Sequence, residues 1–333
     1  MSEQADFPPF CDPLWIQAWL AAFASGQQTL TLGGVLLRQG ELRLHGLRLS
    51  ALLSPTNAHT PRYGCWRQQP MPTQLNDWLA QSRRQWPWQV LQLDLVPEHS
   101  PTHLAFAALA GAGARVEIRP AEITAVVDLS QGQAAYFQQL SKKLRANTNN
   151  AENGLRRLGE LRCMEVAGQT DWLDWLDRAF ALEAEGWKGA QGSAIAQNTA
   201  LQDFYRQVLI QGQAQGRLRF FVLLLADRLI AFQILWRADD TDYGLRTGFV
   251  EDLAKYSPGN VLQRMSTQAL FDEGVARKLD MLGPVTPWKA RWQTGEETLL
   301  RIRVYAPGWR SGLVYHALQQ FHRLNDWRRS RID

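Results

Sequence analysis

Residues able to do chemistry gather at three glycine-bearing turns in the second half of the sequence. The first runs Glu251-Asp252-Leu253-Ala254-Lys255-Tyr256-Ser257-Pro258-Gly259-Asn260, after the strand-like stretch Asp242 to Phe249 and before the helical stretch that ends at Glu273. Strand, glycine-bearing loop and helix make an anion cradle: free backbone N–H groups at a helix start, with the helix dipole behind them, suit a diphosphate. Thr247, Gly248, Phe249, Lys255, Ser257, Pro258, Gly259 and Asn260 are therefore candidate cofactor-binding residues. Gly259 allows close backbone approach and Lys255 adds a positive charge. Ser-Pro-Gly before a helix is also ordinary capping chemistry, a Ser cap followed by a helix-start Pro.

The second cluster is Glu183-Ala184-Glu185-Gly186-Trp187-Lys188-Gly189, followed by Gly192-Ser193-Ala194. Loops of this make-up bind more often than they pack. Glu183 is a candidate general base or acceptor-orienting group, Trp187 a pocket wall and Lys188 a substrate contact. The plainer reading is a helix end closed by Gly186 with solvated charges. The third cluster is Asp280-Met281-Leu282-Gly283 with Trp288, Lys289, Arg291 and Trp292. Strand ends of α/β sheets open into clefts, so Asp280 could orient an amine and Lys289 could pair with a carboxylate or phosphate. Alternatively Asp280 only caps or pairs with a neighbouring arginine.

Other chemistries lack their residues. The six histidines form no His-Glu-x-x-His pattern, and Gly-x-Ser-x-Gly, Walker and dinucleotide fingerprints are absent. No metal is expected. Cys11, Cys65 and Cys163 have no paired spacing, which argues against both a disulfide framework and a zinc site and for a reducing, cytoplasmic compartment. The formal net charge of +4 favours an anionic ligand and is too small to imply DNA. No stretch is apolar and long enough to span a bilayer.

The elements that would position these clusters are of mixed α/β type. A chain of 333 residues exceeds one usual core, so two domains or a tandem duplication are expected. Periodicity gives a helix over 13–23, short strands over 30–37, 41–44 and 47–53, a helix over 75–84 and a strand over 90–96. A helix over 103–110 and strands over 115–119 and 125–129 follow. A helix over 133–144 leads to an Asn-rich turn ringed by Lys142, Lys143, Arg145, Arg156 and Arg157. Helices over 171–185 and 201–215 and strands over 218–226, 229–237 and 242–249 come next. The last elements are a helix over 260–273, strands over 278–282 and 299–305, and a helix over 313–327. The second half repeats the element order of the first.

On these residues the C-terminal half resembles the CelD-like acetyltransferase group, relatives of the Fem-type aminoacyltransferases within the GNAT superfamily. The resemblance rests on Glu183 with Trp187-Lys188-Gly189 and Gly192-Ser193-Ala194, on Tyr256-Ser257-Pro258-Gly259, and on Asp280, Gly283 and Trp288-Lys289-x-x-Trp292. Ser141-Lys142-Lys143-Leu144-Arg145 and Trp15-x-x-Ala18-Trp19 extend it. It implies an α/β fold of tandem GNAT-like halves, each a mixed twisted sheet with helices on both faces: a degenerate half over 1–125 and a working half over 126–333. It also implies transfer of an acyl group from acetyl-CoA or another acyl-CoA to an amine. Glu183 or Asp280 would take the amine proton, a backbone N–H around Thr247 to Phe249 would hold the oxyanion, and Tyr256 would donate a proton. Trp288 and Lys289 join Trp187 and Lys188 as substrate contacts. Two other readings stand beside it: a Fem-type enzyme fed by aminoacyl-tRNA, and a GNAT-fold binding protein without turnover.

Overall fold

Local capping and apolar spacing account for most element boundaries. The computed structural model describes residues 9–44, 46–64, 66, 68–185, 195 and 198–329, with side chains described through residue 320. In chain order the elements are α1 (Pro13–Phe23), β1 (Thr29–Leu32), β2 (Val35–Leu44), β3 (Leu47–Leu53), α2 (Pro72–Gln85), β4 (Val90–Pro97), α3 (Pro101–Gly111) and β5 (Val116–Asp128). Then come α4 (Gln133–Gln139), α5 (Lys142–Leu158), β6 (Leu161–Glu165), α6 (Trp172–Glu185), α7 (Thr199–Ala214), β7 (Leu218–Leu225), β8 (Arg228–Ala238) and β9 (Thr241–Phe249). The chain closes with α8 (Pro258–Glu273), β10 (Lys278–Pro284), β11 (Gly295–Tyr305) and α9 (Trp309–Arg329).

Two compact units result, and neither is a consecutive half of the chain. Unit 1 comprises Met1–Phe23 with Ile123–Glu297, and unit 2 comprises Ala24–Glu122 with Thr298–Asp333. The chain passes from one unit to the other within β5 and again within β11, so the boundary expected at 125/126 falls inside a strand. In unit 1, β6 to β9 form an antiparallel meander, β10 lies parallel to β9, and the end of β5 pairs antiparallel with β10. In unit 2, β1 to β3 form the meander, β4 lies parallel to β3, and the end of β11 pairs antiparallel with β4. The repeated element order is therefore a repeated topology.

Helices cover both faces of the unit 1 sheet, which is why β7 is buried from Leu218 to Leu224 and apolar at every position but Arg219. On one face Gln233 of β8 meets α8 through Gln263. On the other, Trp236 of β8 packs against Trp15 of α1 and lies over Gly212 of α7, where a Cβ would come within 2.5 Å of the indole. The unit 2 sheet has one core built on α2 and α3, including Leu75, Leu79 and Phe106, and another on α9, where Val314 and Leu318 meet Leu49 and Val90.

Three expectations change. The expected Asn-rich turn is the middle of α5, which Ser141 caps by accepting from the Leu144 N–H at 3.2 Å and which Glu152 and Arg156 brace at i,i+4. The separate strands expected over 115–119 and 125–129 are one strand, β5, and β6 had no strong apolar signal because it carries Arg162 and Glu165. Cys11 is disulfide-bonded, which removes the argument from cysteine spacing to a reducing compartment; Cys163 is free, and burial first, then Glu165, pushes its thiol up to about 11.

An ion network fastens α8 to the meander. Arg219 and Arg237 on β7 and β8 both reach Glu273 at the end of α8, Arg219 also holds Glu165, and Arg237 holds Asp242 bidentately at 2.8 and 2.9 Å. Burial pushes the enclosed Asp242 carboxyl up against the pull of Arg237. Hydrogen bonds from Arg237 foremost, and from Arg219, draw the more open Glu273 down from 4.5 to about 2. A depressed carboxylate stabilises the fold above its unfolded pKa and ceases to do so as the pH falls through the folded one. Glu273→Gln is accordingly expected to lower stability by about 1 kcal/mol at neutral pH, a value kept small by solvent screening. The gap from the wild type should close between pH 4.5 and pH 2, measured by urea denaturation across pH.

Candidate active site

β9 and β10 pair over only three positions, Lys278↔Thr241, Leu279↔Asp242 and Asp280↔Tyr243, while β9 continues along β8 as far as Ala231↔Phe249. From Leu245 to Phe249, β9 thus has β8 on one edge and no β10 partner on the other. Two irregularities mark the separation. In β9, Ile234 faces Arg246 and Leu235 faces Gly244, so Leu245 is the extra residue of a β-bulge. In β10, Leu282 and Gly283 take left-handed conformations with φ of 47° and 64°.

Asp280 and Lys289 hold that left-handed turn. The Asp280 carboxylate, fully enclosed, accepts from the Leu282 N–H at 2.9 Å and from the Thr124 hydroxyl at 3.3 Å. The Lys289 ammonium donates to the carbonyls of Leu282 and Pro284, the latter at 3.1 Å. Both residues were expected to meet substrate; both are engaged with the backbone of their own segment.

At the far end of the open edge stands the start of α8. Ser257 takes φ 44°, rare for a residue with a side chain, and Pro258 follows as the first helical residue. Phe249, the last residue of β9, lies against Gly259, where a Cβ would be 3.2 Å from its ring. Asn260 is locked by two indoles, its Oδ1 accepting from Trp288 at 2.8 Å and Trp292 at 3.2 Å. The short 3-10 helix Glu251–Tyr256 carries Lys255 over the Tyr256 ring at 4.9 Å, and that ring covers Gly154 of α5. A cavity of about 250 Å³ opens here, lined by Ser257, Asn260, Lys143, Asn147 and Arg291 among others. It shares Leu144 and Thr148 with a neighbouring cavity of about 340 Å³ walled by Phe137, Leu140 and Trp292. Thr247 is exposed at the open edge and donates to the Phe232 carbonyl at 3.0 Å, and Gly248 leaves room for the Phe232 ring.

Glu183 is 3% exposed and belongs to an ion pair on the other face of the sheet. Its Oε2 accepts from Arg246 at 2.7 Å and from the Ile195 N–H at 3.1 Å, and Arg246 lies over the Tyr205 ring at 5.3 Å. Burial opposes the Arg246 charge, yet Tyr205 and Glu183 together hold its pKa above the usual arginine value. Burial pushes the Tyr205 hydroxyl up to about 12, against the pull of Arg246 and with the help of Glu183. Trp187 and Lys188 lie outside the described residues. Sequence reasoning missed Arg246, and it named Lys143 and Arg291 without assigning either a ligand-binding role. The signal for Arg246 was a charge inside a strand of a covered sheet. Among the described residues no group of His, Cys, Asp and Glu is placed to hold a metal, and no helix is long and apolar enough to cross a membrane.

Residues 142–290, all within unit 1, match the family model described as an acetyltransferase (GNAT) domain, so the chain carries a GNAT-fold acetyltransferase domain. The match does not single out the CelD-like group. Among solved structures the chain is similar to the C-terminal domain (DUF2156) of a putative lysylphosphatidylglycerol synthetase from Agrobacterium fabrum. That likeness has 13% identity and a TM-score of 0.58 over 92% of this chain and 90% of that one. L-PGS from Bacillus licheniformis follows at 13% identity and TM-score 0.54, over 94% of this chain and 98% of that one. FemX is similar at 10% identity and TM-score 0.52, over 84% of this chain and 90% of that one. No curated protein matches the chain. These likenesses extend over both units and concern the fold.

The Glu183–Arg246 pair makes a stability test. Glu183→Ala leaves a guanidinium enclosed without its carboxylate and should cost about 3–5 kcal/mol. Adding Arg246→Met should recover most of that loss, both read by urea denaturation. A Glu183→Ala protein as stable as the wild type would show that the pair is not what holds α6 against β9.

Proposed function

We propose that the protein is an N-acyltransferase that moves an acyl group from an acyl-coenzyme A to a primary amine, with its centre where β9 and β10 part. The observation that supports this best is the join of an unpaired strand edge to a basic, polar cavity at a helix start: Leu245 to Phe249 lead to Ser257, Gly259 and Asn260, with Lys143 and Arg291 beside them. An extended amide-bearing arm fits the strand edge, and a diphosphate fits the cavity. Acyl-coenzyme A supplies both, together with an activated thioester.

The chain's own residues then divide the work. Ser257, Gly259, Lys143 and Arg291 bind the diphosphate, with Lys255 and the Pro258–Asn260 turn beside them. Backbone N–H groups of Thr247 to Phe249 meet the negative charge that develops on the carbonyl oxygen. Tyr256, half-buried at the mouth of α8, is assigned as proton donor to the departing sulfur, and the proton that the amine loses as the amide forms passes to water. Glu183 and Asp280 are assigned as positioning residues, because each carboxylate is enclosed and bonded within its own surroundings. Trp288 and Lys289 shape the site through Asn260 and the β10 turn, and Trp187 and Lys188 are assigned as acceptor contacts from the sequence pattern alone. The acceptor class we favour is an amino sugar or another amine-bearing cell-envelope or polysaccharide precursor. The donor supports a cytoplasmic location, against which the Cys11 disulfide counts.

Calorimetric titration with acetyl-coenzyme A and a longer acyl-coenzyme A tests the reading. The wild type should bind with a micromolar constant; Gly259→Glu should abolish binding, and Lys143→Gln should weaken it by about tenfold, the loss of one charge-assisted hydrogen bond. A wild type that ignores acyl-coenzyme A but binds tRNA with steep salt dependence would replace this reading with the aminoacyl-tRNA one.

A further inference from the structure

A cavity in unit 2 lies away from every residue assigned above. It measures about 920 Å³, within the range of small-molecule sites, and is bounded by α2, the turn after α3 and the end of β11. Its inner wall is apolar: Leu79, Trp88 and Val304 are all buried beneath it. The Trp88 indole N–H is already given to Ser82 Oγ at 2.9 Å, so the side chain has no free donor for a ligand.

Arginines supply the cavity's charge. Arg83, Arg84 and Arg115 line it, and among the described residues no carboxylate does. Arg83 spreads over Trp88 at 5.9 Å, and its Nε is enclosed with no hydrogen-bond partner among the described residues. Arg115 donates to the Gly308 carbonyl at 3.0 Å, which fixes its guanidinium at the rim. The buried carboxylate nearest in sequence, Glu117, is committed to the Tyr305 hydroxyl at 2.6 Å and to Arg303 at 3.6 Å. Positive charge at the mouth is thus left uncompensated by the described residues. Next to the lining residue Gly308, Trp309 stands 72% exposed.

We propose that unit 2 carries a second ligand site, for a small molecule that joins an apolar body to a carboxylate or a phosphate. The apolar body rests on Trp88, Leu79 and Val304. The anionic group meets the fork of Arg83 and Arg115, whose planar donors match either oxyanion bidentately. Neither a free inorganic anion nor an uncharged apolar molecule satisfies both halves.

Calorimetry on the full chain with octanoate, octyl phosphate, octanol and inorganic phosphate tests this. Octanoate and octyl phosphate should bind at least about tenfold more tightly than octanol or inorganic phosphate, and the tighter of the two identifies the headgroup class. The double variant Arg83→Gln/Arg115→Gln should weaken both amphiphilic anions by about tenfold or more and leave octanol unchanged. Ala80→Trp, at an exposed lining position of α2, should fill the cavity and remove binding; if it does not fold by circular dichroism, the arginine pair carries the test. Gly259→Glu should bind the octyl anions as the wild type does, which separates this site from the acyl-coenzyme A reading. Failure of both octyl anions to bind, or binding indifferent to the arginine substitutions, would overturn the proposal.

Discussion

The parting of β9 and β10 after three paired positions is the constraint from which the candidate site follows, and one buried carboxylate enforces it. Backbone groups that leave a ladder must find other partners. Asp280 takes the Leu282 N–H, and Lys289 takes the Leu282 and Pro284 carbonyls. A left-handed leucine costs about 1–2 kcal/mol and persists only where its surroundings fix it. The left-handed Gly283 beside it carries no such cost. β10 therefore bends away, and the β9 edge from Leu245 onward stays open toward the start of α8.

That helix start is itself held from several sides. Asn260 is tied to Trp288 and Trp292, Gly259 is seated on Phe249, and the buried chain Gln233, Gln263, Ser266 and Thr267 sets the position of α8 on β8. A left-handed Ser257 fits this pattern of local strain maintained by surrounding contacts. Because the N–H groups of the first turn are fixed in advance, an anion bound there would not have to order them.

Much of this was legible in the sequence where periodicity and capping act locally. The helix over 13–23 and the strand over 47–53 stand at their expected bounds, and the strand–loop–helix unit from β9 to α8 was visible in its Ser-Pro-Gly junction. Asn-rich composition hid α5, whose buried stripe of Leu144, Thr148 and Leu155 is thinly apolar. The partners of Glu183, Trp288 and Lys289 were not legible, because they lie apart in sequence or on a backbone irregularity, whereas the capping alternative for Asp280 matches its bond to the Leu282 N–H. Arg246 lies 63 residues from Glu183, and no local rule joins them. The division into units was hidden for a similar reason: β5 and β11, which close the two sheets, each begin in one unit and end in the other, so element order repeats while chain continuity does not follow it.

Charge pairing carries the argument one step further. In unit 1 the acids beside the sheet are taken: Glu183 by Arg246, Asp242 and Glu273 by Arg237, Glu165 by Arg219, Asp252 by Arg228, and Glu152 by Arg156 and Arg264. The cations around the α8 start are used differently. Arg291 spends its Nε on a backbone carbonyl, Lys255 rests on an aromatic ring, and Lys143 lines the cavity. None of these contacts cancels charge. These cations stand where a helix dipole also points its positive end, so the two add at the cavity. An anion bound in that cavity would neutralise charge that the fold leaves in place.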